Sequence, residues 1–148
     1  MKIDLGSGYR KPKDFISIDI RPECKPDIVC DIAQGLPFNS NSIEYVRAYD
    51  FLEHIPRDRI IFVIEEIYRV LVPNGILDHC TPSDEGRGYA MDPTHINPMN
   101  LNSWWYYQKD EYRQLYNIKA KFVGANKNLL TDPLNKIIHV VGILRAVK

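Results

Sequence analysis

This chain has little of what stabilises small secreted proteins. Its three cysteines, Cys24, Cys30 and Cys80, are odd in number and form no C-x-x-C pair. That excludes a disulfide framework and points to reduced thiols in a cytoplasmic compartment. Neither sign of charge is in excess, with 19 Lys plus Arg against 19 Asp plus Glu. No global field therefore draws in nucleic acid or an anionic membrane. No apolar run approaches the roughly 20 residues that span a bilayer, and no signal-peptide pattern stands before the first apolar segment. Repeats, low-complexity tracts and linkers are also missing from the 148 residues. The expectation is one domain, residues 1–148, able to bury its own core.

What is present is a series of short apolar runs rich in Ile and Val. Lys2–Leu5, Phe15–Ile20, Ile28–Asp31, Ile43–Tyr49 and Gly75–Cys80 suit strands of a mostly parallel sheet. Between the last two, Ile60, Ile61, Ile64, Ile67, Tyr68 and Leu71 recur at helical spacing, which predicts a helix over Arg57–Leu71. Pro56 suits its first turn, and Pro73-Asn74-Gly75 stops it. A second helix with an aromatic face is expected over Asn102–Tyr116. Ile118–Gly124 and Ile137–Ala146 are expected to pair as an antiparallel hairpin with a long loop.

Two local features carry chemistry. The first strand runs into Gly6-Ser7-Gly8, where two glycines let the backbone take positive φ and pass close to a ligand. The second strand ends in Asp19, a carboxylate able to accept two hydrogen bonds from a ribose diol. The pair places an adenosine-containing ligand at the carboxyl edge of an α/β sheet. Only six residues separate Gly8 from Phe15, too few for a helical crossover. The first crossover helix is therefore expected to be reduced or absent, leaving one sheet face thinly covered and open to a partner subunit.

With the strands placed, the chain resembles a class I, Rossmann-like S-adenosylmethionine-dependent methyltransferase, of a compact group that starts at the glycine-rich strand. The resemblance covers about Lys2–Ser83. It rests on the order and spacing of Ile3-Asp4-Leu5-Gly6-Ser7-Gly8, Ile18-Asp19, Val29-Cys30-Asp31-Ile32, Leu36-Pro37-Phe38, Leu52-Glu53-His54-Ile55 and Tyr68-Arg69-Val70-Leu71-Val72-Pro73-Asn74-Gly75. It implies a Rossmann-like sheet with helices on both faces and S-adenosyl-L-methionine as cofactor. It also implies that Gly6, Ser7 and Gly8 wrap the methionine part, with Asp4 shaping that loop or reaching the ammonium group. Asp19, with Ile20 beside it, takes the ribose. Asp31 accepts from the adenine amino group, and the backbone of Ile32 donates to the ring. Ala48 and Tyr49 lie near the sulfonium. Arg10 stands where the fullest family motif has a third glycine.

The expected reaction is methyl transfer to a small-molecule acceptor, or by analogy a glycan precursor. Positioning supplies much of the acceleration, and a base matters only where the acceptor must lose a proton. His95, after Asp92-Pro93-Thr94, is the first candidate base and Asp50 the second. Asp50-x-x-Glu53-His54 with the distant His95 also resembles the carboxylate and imidazole set that binds a divalent metal in some methyltransferases acting on vicinal hydroxyls, which implies Mg²⁺, Mn²⁺ or Zn²⁺ as an alternative there. The sequence assigns no metal ligand. Trp104-Trp105-Tyr106-Tyr107 is read as packing, with an acceptor platform as its alternative. Two other functions remain open: a non-catalytic module of the same fold, and a nicotinamide-dependent oxidoreductase. The second expects G-x-G-x-x-G opening a helix, whereas Lys11 occupies the third glycine position.

Overall fold

The short apolar runs all become strands of one sheet in the computed structural model, which describes residues 1–148. They are β1 (Lys2–Leu5), β2 (Ile16–Asp19), β3 (Ile28–Val29), β4 (Ile43–Tyr49), β5 (Leu71–Pro82), β6 (Phe122–Asp132) and β7 (Ile137–Ala146). Their order across the sheet is β3-β2-β1-β4-β5-β7-β6. The first five strands run parallel, and β7 lies antiparallel to both β5 and β6. The carboxyl ends of β1 to β5 therefore line one edge. The sheet reverses its direction of progression at β1, between β2 and β4, and such a switch point opens a crevice at that edge.

Four α-helical segments accompany it: α1 (Ile60–Val70), α2 (Arg87–Met91), α3 (Trp105–Gln108) and α4 (Asp110–Leu115). Helix α1 buries Val63, Ile64, Ile67 and Val70, the i, i+1, i+4, i+7 stripe of an amphipathic helix. It begins later than expected because Pro56, Arg57 and Asp58 form a separate turn. It ends where Leu71 adopts extended dihedrals and enters β5. Pro73-Asn74-Gly75 then forms an irregularity inside β5 rather than the link before it, with Asn74 at φ 63°. The expected second helix is broken into a 3-10 turn (Leu101–Trp104), α3 and α4. Lys109 is extended between the last two, and Asp110 and Glu111 restart the helix at its positive end.

The tail hairpin forms, but β6 extends to Asp132 and its turn is short. Asn126, Lys127 and Asn128 hid the strand, since an edge strand tolerates polar residues that a central one does not.

The helices are unevenly shared between the two faces of the sheet. Ile3, Leu5, Ile18, Val46, Ala48, Leu77, Val140 and Leu144 point to a single core shared with α1, Trp104 and Tyr107. The alternate positions meet only the short α2, whose Gly88 lies against Pro82 and Ile137. Tyr45, Arg47, Tyr49, Asp78 and Cys80 are half-buried there, and Val123 and Ile143 are 48% and 58% exposed. The thin cover follows from the link between β1 and β2. Tyr9–Asp14 contains no helix, so none covers β1 and β2 on that face.

One polar residue sits deep in the core. His79 on β5 is fully buried, stacks on Trp104 at 4.0 Å and lies 2.8 Å from Asn126 Oδ1. Burial pushes its pKa down to about 4, so the imidazole is neutral in the folded chain. An unfolded histidine titrates near 6.5. Between these values the unfolded state binds the extra proton, so stability rises with pH. Urea unfolding should show a contribution of roughly 3 kcal/mol that is complete above pH 6.5 and lost as pH falls to 4. The loss should be smaller in His79→Gln; an unchanged acid slope would contradict it.

Candidate active site

The carboxyl edge opens into a cleft of about 940 Å³, within the size range of small-molecule sites. Gly6, Asp19, Ile20, Asp31, Ile32 and Asp50 line it, six of the residues expected from sequence. Gly6 has φ 61°, and a Cβ there would lie 2.7 Å from Phe51 Cδ2. Only glycine lets the loop after β1 pass under that ring. Gly8 is also left-handed, at φ 54°.

Asp19 joins the loop to the neighbouring strand. Its Oδ2 accepts the Gly8 N–H at 2.7 Å, and Oδ1 accepts Arg21 N–H at 2.9 Å and Arg21 Nε–H at 3.2 Å. Burial alone would raise its pKa, but the Arg21 and Gly8 backbone donors, with the guanidinium, hold it below the ordinary carboxylate value. Asp19 therefore stays ionised as an acceptor. The Arg21 side chain is half exposed and free to leave Oδ1 to a ligand hydroxyl. Asp31 caps the 3-10 turn Ile32–Gln34 by accepting Ala33 N–H at Oδ1. Its Oδ2 remains available. Ser7 Oγ is buried without a partner beside this loop.

Other expected residues stand elsewhere. Asp4 does not shape the loop: its buried carboxylate is gripped by Arg47, Nε to Oδ1 at 2.7 Å and Nη2 to Oδ2 at 2.8 Å. The register explains this, because Asp4 and Arg47 are direct partners across β1 and β4 on the uncovered face. Tyr49 also turns to that face and donates its hydroxyl to Asp78 at 2.9 Å, so its ring is not at the cleft wall. Its backbone carbonyl accepts from Arg10 instead. Ala48 is fully buried within the sheet.

At the far end, the 3-10 turn Leu52–His54 and the segment Asp92–Asn97 are fastened together. The Glu53 carbonyl accepts Ile96 N–H and Asn97 N–H, and the Asn97 amide donates to the Leu52 carbonyl. His54, Asp92 and Thr94 reach the wall, whereas the His95 side chain is 8% exposed and sits behind it. Its Nδ1 faces the Tyr89 carbonyl at 3.0 Å. Glu53 is fully buried, and neither carboxylate oxygen has a hydrogen-bond partner. Burial, with the charges of Asp50 and Asp92, pushes its pKa up to about 8. Asp50 has left-handed backbone and is held ionised chiefly by His139, whose Nε2 is 3.4 Å away.

Sequence reading had not placed Arg21, Phe51, Arg59 or Thr94 in the cleft. Phe51 carried a signal in retrospect, since it follows β4 directly and faces the glycine loop.

A family model described as a methyltransferase domain matches residues 10–77. The fold agrees with it. The chain has the class I, Rossmann-like fold of S-adenosylmethionine-dependent methyltransferases. One similar structure is an S-adenosylmethionine-dependent methyltransferase from Archaeoglobus fulgidus, with TM-score 0.69 and 12% identity, covering 98% of this chain and 85% of that one. Another, from Methanosarcina mazei, has TM-score 0.69 and 16% identity over 99% and 92%. A third is the 1,6-didemethyltoxoflavin-N1-methyltransferase of Burkholderia thailandensis, solved with S-adenosylhomocysteine, at TM-score 0.69 and 11% identity over 99% and 71%. None of the curated proteins compared with the chain matches it.

Within this fold Asp4 has a structural task that can be isolated. Removing one partner of a buried ion pair costs about 3–5 kcal/mol, because the other charge is stranded. Asp4→Ala should lose that much in denaturant unfolding. The double variant Asp4→Leu/Arg47→Met should recover most of it. A neutral Asp4→Ala would show that the pair contributes nothing.

Proposed function

We propose that the cleft holds S-adenosyl-L-methionine with its ribose on Asp19, its adenine against Asp31 and Ile32, and its methionine part along Gly6-Ser7-Gly8. The observation that carries this reading is the buried, ionised Asp19 at the end of β2, tied to the glycine loop and facing the cleft. The orphaned Ser7 hydroxyl and the spare Asp31 oxygen supply further polar groups of the kind that ligand needs.

The acceptor is a small molecule or glycan precursor, entering at the end bounded by Asp50, His54, Asp92 and Thr94. Asp50 stands at the wall as a carboxylate able to take a proton or orient the acceptor. His95 communicates with the cleft through His54, the two rings being 4.9 Å apart in an edge-to-face arrangement. Residues 1–148 act as one domain in the cytoplasm. No helix is long and apolar enough to cross a membrane, and all three cysteines are free thiols.

The uncovered sheet face is the proposed seat of a second copy of the chain. Its apolar positions, Val123 and Ile143, lie beside the charged Arg145 on neighbouring β6 and β7. Light scattering should read a dimer; a monomer at high concentration would remove this part of the reading.

The cofactor assignment is tested by calorimetry with S-adenosylhomocysteine. A hydrogen bond to a charged group is worth about 1.5–3 kcal/mol, so Asp19→Ala should weaken Kd by roughly tenfold or more. NADH should show no comparable binding to the wild type. Unchanged affinity in folded Asp19→Ala would take Asp19 out of the site.

A further inference from the structure

We infer that Arg59 sets the preference of the cleft for an amino-bearing purine, by holding the turn whose Asp31 carboxylate meets that amino group. It is a positioning role, and it rests on reading the cleft as a site for S-adenosyl-L-methionine.

Arg59 stands where an arginine does the helix no good. It occupies the N-cap of α1, and its side chain makes no cap hydrogen bond. A short oxygen-bearing side chain such as Ser or Asp would accept from the first N–H groups there, and a cation faces the positive end of the helix dipole. Its contacts lie in the neighbouring turn instead. Nε and Nη2 both donate to the Ala33 carbonyl, at 3.0 and 2.5 Å, and the guanidinium lies 4.2 Å from the Phe62 ring centroid. A rigid fork with two donors fixes an acceptor more narrowly than the flexible ammonium of a lysine.

Ala33 passes this constraint to Asp31. Asp31 Oδ1 accepts Ala33 N–H at 3.0 Å, so both backbone polar groups of Ala33 are held, the carbonyl by Arg59 and the N–H by Asp31. With Oδ1 engaged, Oδ2 is the oxygen left for a ligand. A carboxylate accepts and does not donate, so it favours a ring that carries an amino group over one that lacks it.

The remainder of the loop is fastened to α1 farther along the helix. Glu66 Oε2 accepts Leu36 N–H at 2.9 Å, and Arg69 donates to the Leu36 and Phe38 carbonyls at 3.0 and 2.8 Å. Arg59, Phe62, Glu66 and Arg69 recur at helical spacing and form one stripe. Arg59 lines the cleft, whereas Glu66 and Arg69 do not. Arg69 is therefore the control: it secures the same loop away from the ligand.

The test is calorimetry with S-adenosylhomocysteine and with its purine-riboside analogue, which carries hydrogen where adenine carries the amino group. The wild type should prefer the adenosyl ligand by about tenfold or more, the worth of one hydrogen bond to a charged group. Arg59→Met should reduce that preference to about twofold or less, chiefly by weakening the adenosyl ligand. Arg59→Lys, which retains one donor, should fall between, and Arg69→Met should keep the wild-type preference. If Arg59 only supports the helix, Arg59→Met weakens both ligands by the same factor and the preference survives. That result would overturn the inference alone, as would an equal loss of preference in Arg69→Met. Should Arg59→Met fail to fold, an undiminished preference in Arg59→Lys would overturn it. Failure of the wild type to bind S-adenosylhomocysteine would overturn the cofactor reading, and the role of Arg59 with it.

Discussion

The hydrogen bond from Gly8 N–H to the Asp19 carboxylate, 2.7 Å long, is the contact on which the cleft depends. It joins the loop after β1 to the end of β2 without the helix that usually separates two parallel strands. Asp19 also accepts from Arg21, so one buried carboxylate sets both the exit of β1 and the exit of β2. Gly6 follows from this closure. The loop is drawn beneath Phe51 at a φ that favours glycine, and no side chain fits between them. The far wall has its own fastening, where the Glu53 carbonyl holds Ile96 and Asn97. Between these two fixed points lies the space for a ligand.

The economy of the β1–β2 link has a consequence on the opposite face. Without a covering helix, the inward alternation of the strands builds a core on one side only. The second side is organised by charge: Asp4 grips Arg47, the Arg47 guanidinium lies over the Phe15 and Tyr49 rings, and Tyr45 and Tyr49 both donate to Asp78. These contacts let half-buried polar side chains cover strands that no crossover helix reaches. They also explain why Asp4, adjacent in sequence to the glycine loop, belongs to a different face from the cleft.

Much of this was legible in the residues. The Ile and Val runs became strands, although β5 starts at Leu71 rather than Gly75 and β3 ends at Val29, and the short β1–β2 spacing implied the absent crossover helix. Gly6, Asp19, Asp31 and Ile32 reached the cleft because strand-end positions are fixed by the sheet itself. What was hidden depended on tertiary pairing. Asp4 reads as a loop residue until β4 brings Arg47 beside it in register. His95 reads as a cleft base until Tyr89 and Glu53 enclose it. The polar half of β6 reads as a loop until β7 pairs with it as an edge. In each case the deciding partner is distant in sequence or set by a turn that periodicity does not encode.

The central claim is that Asp19 receives the ribose of S-adenosylmethionine at the carboxyl edge. A crystal structure of the protein with S-adenosylhomocysteine tests it most directly. The account predicts the two ribose hydroxyls on the Asp19 carboxylate, Arg21 Nε displaced from Oδ1, Gly8 N–H still bonded to Oδ2, and adenine beside Asp31 and Ile32. A ligand bound away from Asp19, or an Asp19 still wholly engaged by Gly8 and Arg21 with the nucleoside in place, would contradict it.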